Sequence, residues 1–568
     1  MKAKLISLTS AITGIFLLAG FGETDNQQTE LVKELNEALS LQTYQRANLM
    51  YNEAAYIPAQ CYTKTKNEKG GASNPCYVCH GAGKRPNFFN GTDLQMEYGF
   101  TAKYGETNRW KNLFRDFSGQ IAQISDREMQ DYVKQSNYLN ADGSIKLAQR
   151  LKDLPSEWDA NNNGRWDGFM PDVYFNFDEL GFDRDLNNKY TGWRVFAYAP
   201  FPGAFFPTNG STDDVLIRLP ELYQTDANGI FDKTVYQINL AVVEAMIKEQ
   251  DIEIPKVDEK KYQVDLDKDG KIATAAKISY RWAPLKKQMM SYVGQAKTAF
   301  EQGKINMAAG LYPVNTEFLH TVRYLDRNAD GQMMMSARIK EVRYSKKTAW
   351  NNYMQLQNYA LSEIKEKHDF PERLRVFEGN SERGLYNGMG WKLQGFIEDK
   401  KGELRPQTFE ETAFCIGCHS GTSATTDASY AMPRKYTNQH FKNGWYHWSE
   451  KGFKGAPELT YPDGRYEYTT YLQNNPWGDE FRSNEQVYKK FYQADGKANT
   501  AMFNHLKNDI SVLMEPDPER ANLLNKAYLS IVREQSYIWG RQPMLAPAKN
   551  VYKFVESGTP TDAKVIMR

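Results

Sequence analysis

Residues 320–332 read HTVRYLDRNADGQ. A run of β-branched and aromatic residues ends in a cluster of Asp, Asn and Gly, the pattern of a strand entering a tight turn. The same texture lies upstream in TGWRVFAYAP (191–200), VLIRLPEL (215–222) and the turn-rich WDANNNGRWDGFMPDVYFNF (158–177). Helical apolar spacing interrupts it in NLAVVEAMIKE (239–249) and QMMSYVGQAKTAFEQG (288–303). Residues 150–350 are therefore expected to form a mixed α/β middle region.

The flanks read differently. In 26–50, Leu31, Leu35, Ala38 and Leu39 recur at helical spacing. FFNGTDLQMEYGF (88–100) and RWKNLFRDF (109–117) predict loops and short helices. Towards the C-terminus, YPDGRYEY (461–468) predicts a hairpin about Asp463–Gly464. After it, NEQVYKKFYQA (484–494), TAMFNHLKNDISVLM (500–514) and PERANLLNKAYLSIVREQSYIW (518–539) carry helical spacing. The expected class is α+β. A region 23–149 and a mainly helical region 351–568 flank the mixed middle region 150–350.

Composition narrows the function classes. The chain has 568 residues, 41% hydrophobic, 13% aromatic and 25% charged, which excludes a mainly disordered chain. Its formal charge of +1 gives no global reason to bind nucleic acid. The start, MKAKLISLTSAITGIFLLAGFGETDNQQ, joins two lysines to a short apolar stretch and small residues. It reads as a secretory signal peptide, residues 1–22, cleaved near residue 22. Phe21 stands after Leu18-Ala19-Gly20, where a bacterial lipoprotein needs cysteine, so no lipid anchor is expected. No stable membrane span is expected after cleavage. The mature chain is expected in the periplasm or otherwise secreted.

Five cysteines remain to be explained. Four fall in two pentapeptides, CYVCH (Cys76, Cys79, His80) and CIGCH (Cys415, Cys418, His419). This is the attachment signature of c-type haem: two thiols reach the porphyrin vinyl groups and the histidine takes the iron as proximal ligand. A CxxC redox pair or half a zinc site explains each thiol pair but not the histidine directly after it on both occasions. On these residues and the signal peptide the chain resembles a secreted dihaem c-type cytochrome. The resemblance implies two covalent haems c and assembly outside the cytoplasm. The histidines lie 339 residues apart, much further than in the dihaem cytochrome c peroxidases.

The sixth ligand of each iron decides between a carrier and a small-molecule site. His447, in NGWYHWSE, His320, in YPVNTEFLHTVRYLD, and His440 are the candidate distal ligands. Each is otherwise a structural histidine. Cys61, in IPAQCYTKTKNE, is the odd cysteine. It is open to three readings: an inert buried thiol, a thiolate ligand or sulfur-reactive thiol, and an intermolecular disulfide. Basic pairs follow each motif, Lys84 and Arg85, then Arg434 and Lys435. They could meet haem propionates or simply be solvated.

Three acidic turns match the early positions of an EF-hand-like calcium loop: Asp159, Asn161, Asn163, Gly164 and Asp167; Asp265, Asp267, Asp269 and Gly270; and Asp326, Asn328, Asp330 and Gly331. Their twelfth positions are Met170, Ala276 and Ala337, so a carboxylate from outside would have to complete each. For the first, Asp172, Asp178, Asp183 or Asp185 could do so. Calcium is thus a further candidate cofactor beside haem; plain Asx-capped turns are the competing reading. The function expected is electron transfer by two haems. The alternative is a dihaem oxidoreductase with one displaceable axial site, acting on peroxide or a sulfur compound. Redox donor and acceptor proteins, or such a small molecule, are the expected partners.

Overall fold

The computed structural model describes residues 50–561 apart from 65, 67–69, 71–75, 81–85, 87–95, 204–206, 438 and 479–481. The signal segment, the helix expected at 26–50, most of 88–100 and the Lys84–Arg85 pair lie outside the described residues. Contacts divide the chain at Glu53. Among the described residues, every strand and helix lies in the second unit, from Ala54 onward.

The strands in chain order are β1 (Phe182–Arg184), β2 (Tyr190–Phe196), β3 (Thr212–Asp213), β4 (Val215–Arg218), β5 (Ile252–Asp258), β6 (Thr274–Ile278), β7 (Glu317–Arg327), β8 (Met333–Lys347), β9 (Gly379–Asn380), β10 (Gly384–Tyr386), β11 (Trp391–Glu398) and β12 (Leu404–Pro406). Ten of them make one antiparallel sheet in the order β1-β2-β4-β7-β8-β11-β10-β9, with β12 on β11 and β3 on β7. β5 and β6 pair separately. The mixed α/β character read from the sequence is what the structure has.

The stretch 320–332 sits at the centre of this sheet. β7 and β8 form its longest hairpin, with His320 opposite Arg343 and Leu319 opposite Tyr344. The turn is Asn328–Gly331, closed by Asn328 Oδ1, which accepts from the backbone N–H of Asp330 and Gln332. Strand alternation then sets two faces. Leu319, Val342, Tyr344, Leu216 and Phe396 pack with Phe169, Leu147 and Tyr138 on one side. Phe318, Ile217, Trp391 and Leu393 belong to the core on the other. Both edge strands, β1 and β9, are very short, which limits edge-to-edge pairing.

Helices cover the sheet. Five of them carry the CxxCH segments or brace the sheet: α1 (Cys76–Cys79), α2 (Asp126–Lys134), α3 (Lys233–Lys248), α4 (Phe409–Cys418) and α5 (Pro518–Glu534). α2 and α5 close over Tyr324 and Ile397 through Met129, Val133, Ala527 and Leu529. α5 starts on an Asp517 cap with Pro518 at its first position, and stops where Gln535 turns left-handed at φ 55°. α3 is buried nearly all round, as its run of Leu, Val, Ala and Met dictates.

Two local expectations are corrected. In 288–303 the helix is only Gln295–Glu301. Gly294 breaks it: its φ is 66°, and a Cβ there would meet the Thr225 carbonyl at 2.2 Å. YPDGRYEY does turn at Gly464, with one bridge from Thr460 to Tyr466, but it builds no hairpin. A helix, Glu467–Asn474, starts instead. Glu458 accepts from Thr469 N–H in its first turn, and Glu467 is drawn inward to Arg434.

Candidate functional site

Each CxxCH segment is one helical turn closed by its own histidine. The His80 N–H donates to the Cys76 carbonyl at 2.7 Å, and the His419 N–H to the Cys415 carbonyl at 2.9 Å. Residues three and four apart share a helix face, so each turn groups two thiols and an imidazole. In the second segment this turn is the end of α4. The helix begins with a capping box, in which Thr408 Oγ1 accepts from Glu411 N–H and Glu411 reaches back to Thr408 N–H. Arg405 holds the Glu411 carboxylate with two hydrogen bonds of 2.8 and 2.9 Å.

The two segments meet. Ser423 Oγ donates to the Cys79 carbonyl at 2.9 Å, and Ala424 N–H donates to the same oxygen at 3.2 Å. The 54–62 segment joins them: a Cβ at Gly417 would fall 1.9 Å from the Tyr56 carbonyl, so only glycine fits inside CIGCH there. Cys61 lies beside both motifs. Burial pushes its thiol well above the ordinary value, and Cys76, Cys79 and Cys418 add to the shift. It is therefore held as a neutral thiol.

The sheet fixes the second motif. β8 alternates so that Glu341, Arg343 and Lys347 share one face, and all three are engaged in ion pairs there. Arg343 donates twice to Glu341; Arg541 donates to Glu341 at 2.7 Å and also to the Glu411 carbonyl of α4. Burial alone would raise Glu341, but Arg343 and Arg541 hold it at about 2. Lys347 forms a buried pair with Asp427. Asp427 and Ala428 are consecutive non-glycine residues with φ of 51° and 60°. That conformation is unfavourable and needs such an anchor. It brings the Ala428 carbonyl to 3.2 Å from His419 Nδ1. Tyr430 meets the His419 ring edge-on at 5.4 Å, and its hydroxyl donates to the Cys418 carbonyl.

Both motif histidines are desolvated. Burial lowers His80 and His419 to about 4, so both imidazoles are neutral near pH 7. His80 Nδ1 is buried without a hydrogen-bond partner.

Of the distal candidates, His320 on β7 is within electrostatic reach of His419 and Arg343, and burial lowers it to about 3. His447 is taken up by Asp214, 3.4 Å from Nε2, by Ser449 and by a stack on Phe177. His440 packs between Tyr436 and Tyr446. Arg434 and Lys435 are buried in protein pairs with Glu467 and Glu244.

The acidic turns diverge. In the first, Asp159 accepts from the N–H of Asn163 and Gly164, and the amides of Asn161 and Asn163 donate to Asp167. The outside carboxylate is Glu382, which accepts from Ala160 and Asp167 N–H. Asp172, Asp178, Asp183 and Asp185 serve other partners. In the second, Glu259 stands with Asp265 and Asp267, each offering an oxygen within 4.8 Å of the others. Asp265 Oδ1 is buried without a hydrogen-bond partner. Glu259 lies six residues upstream of Asp265, outside the forward spacing that defines an EF-hand-like loop, so the sequence motif does not mark it.

Among the described residues no helix is long and apolar enough to cross a membrane. No solved structure matches this chain. Over 539 residues, 86% of each chain, it is 30% identical to an uncharacterized lipoprotein of Aquifex aeolicus (strain VF5). A family described as "-like lipoprotein" matches residues 45–510. These matches overturn the assignment to the dihaem c-type cytochrome family, the electron-transfer function and its oxidoreductase alternative; they bear on the family and not on what the two CxxCH segments hold. Similarity along most of the chain leads to lipoproteins, whereas the cytochrome likeness rested on two five-residue segments and a signal peptide. The chain belongs to this lipoprotein-like family, among envelope-associated, secreted proteins.

Proposed function

We propose that the joined CxxCH segments form the prosthetic-group centre of an envelope protein, each segment holding one covalently attached haem through its thiols and histidine. One observation carries this reading: Ser423 and Ala424 close on the Cys79 carbonyl, so two motifs 339 residues apart make one site. Two features support it. The His419 Nδ1 contact to a backbone carbonyl is the orientation that leaves Nε2 for an iron. Burial keeps both imidazoles in the neutral, ligating form. The bound group would supply an iron centre. The protein contributes thiol anchors, oriented imidazoles and a dry surround.

The test is to secrete the full chain in a host that matures c-type haem and to apply a pyridine haemochrome assay. About two haems c per chain are expected. A chain purified without haem from that host overturns the reading.

A calcium ion at the second acidic loop, closed by Glu259, belongs to the same proposal. The buried, unpartnered Asp265 Oδ1 supports it.

A further inference from the structure

A cleft of about 720 Å³ opens between the 135–141 segment, Phe175, the β7–β8 hairpin and the 401–403 turn, within the size range of small-molecule sites. Four cationic side chains line it, Lys146, Arg323, Arg338 and Lys401, against one carboxylate, Glu403. The existing pairings leave positive charge over. Glu403 turns to Arg150 at 3.2 Å, and Arg338 is matched by buried Glu398 at 3.1 Å. The nearest carboxylate to Arg323 is Asp214, at 3.9 Å. Among the described residues Lys146 and Lys401 have no ion pair; the Lys146 ammonium donates to the Ser136 carbonyl.

The wall is held under strain. Phe175, which also lines the cleft, has φ 54°, a genuine outlier for an aromatic residue. Asp183 enforces it: its two oxygens accept from Tyr174 N–H and Asn176 N–H, on either side of Phe175. The ring is thereby laid over the Arg323 guanidinium, 4.5 Å from the centroid, and edge-on to Tyr138 at 5.3 Å. Strain of this kind persists where the surroundings over-determine it, and it collects at binding sites.

We propose that this cleft binds a small organic anion carrying carboxylate or phosphate groups, with Lys146 and Lys401 taking its charge and Phe175 forming a flat apolar wall. The proposal is independent of what the cysteines hold.

The experiment is calorimetric titration of the purified full chain with citrate and, separately, inorganic phosphate, with glycerol as the neutral control. Saturable binding of either anion but not glycerol is expected, weakened at least fivefold in Lys146→Gln/Lys401→Gln. Lys489→Gln, on a distant exposed helix, should bind like the wild type. A carboxylate ligand is indicated where citrate binds more tightly, a phosphate ligand where phosphate does. Absence of saturable binding by both anions, or equal affinity in the double variant, overturns the proposal. Lys401 is exposed and Lys146 half-buried, and unchanged melting of the unliganded variant verifies that it folds.

Discussion

Ser423 Oγ donates to the Cys79 carbonyl oxygen at 2.9 Å, across 344 residues of chain. That bond joins the loop behind the second CxxCH segment to the last turn of the first. Ser423→Ala removes the donor and leaves Ala424 N–H on the same oxygen, so the cost should be about 1 kcal/mol in urea unfolding. Loss of well under half that amount would mean that the loop is held from elsewhere.

Lys347 and Asp427 form a buried pair that anchors the left-handed turn behind His419. Lys347→Met leaves a buried carboxylate unpaired and should cost about 3–5 kcal/mol. Lys347→Met/Asp427→Asn should regain a large part, because the amide oxygen can still accept from Tyr312 N–H. Denaturant midpoints of the two variants read the difference. Equal loss in both would remove the pair from this anchoring role.

Glu458 gives a pH signature. Burial raises its carboxyl to about 7, Thr469 pulls it down through two hydrogen bonds, and Glu467 pushes it up. Unfolded, it titrates near the ordinary 4.5. Between those values the folded chain holds a proton that the unfolded chain has released. Its contribution to stability is therefore full below about pH 4.5 and is lost as pH rises to 7. Glu458→Gln should make the fall in stability between pH 5 and 7 shallower, by up to about 1.4 kcal/mol per pH unit. Unfolding free energies at fixed ionic strength check this, and parallel curves would contradict it.

Calcium at the Glu259 loop is read by melting temperature. At a hundredfold excess over Kd the ion should add about 2.7 kcal/mol, reversed by a chelator. The shift should vanish in Glu259→Gln measured against its own calcium-free state. A shift retained in that variant would move the ion elsewhere.

The sequence showed some of this architecture plainly and hid the rest for physical reasons. The strand texture of 320–332 marked the hairpin at the centre of the sheet, because period-two apolar runs and Asn-Asp-Gly turns are local signals. The CxxCH spacing marked both turns for the same reason. The charged face of β8 was not legible. Glu341, Arg343 and Lys347 alternate as a solvated strand face does, yet Arg541 closes on Glu341 and Asp427 on Lys347. His447, between tryptophan and tyrosine, looked as suited to an axial role as His320. Only the fold shows that Asp214 takes it, and that His320, opposite Arg343, is the histidine near His419. The family itself was hidden because it extends over hundreds of residues, with no short motif to announce it.

The most direct measurement is a thiol count. The secreted full chain is denatured, reduced, treated with a chelator, alkylated and weighed intact. Two occupied CxxCH segments leave one alkylatable thiol, Cys61, on a chain that is heavier by two prosthetic groups. Five alkylated thiols on a chain of unmodified mass would contradict covalent attachment at either motif.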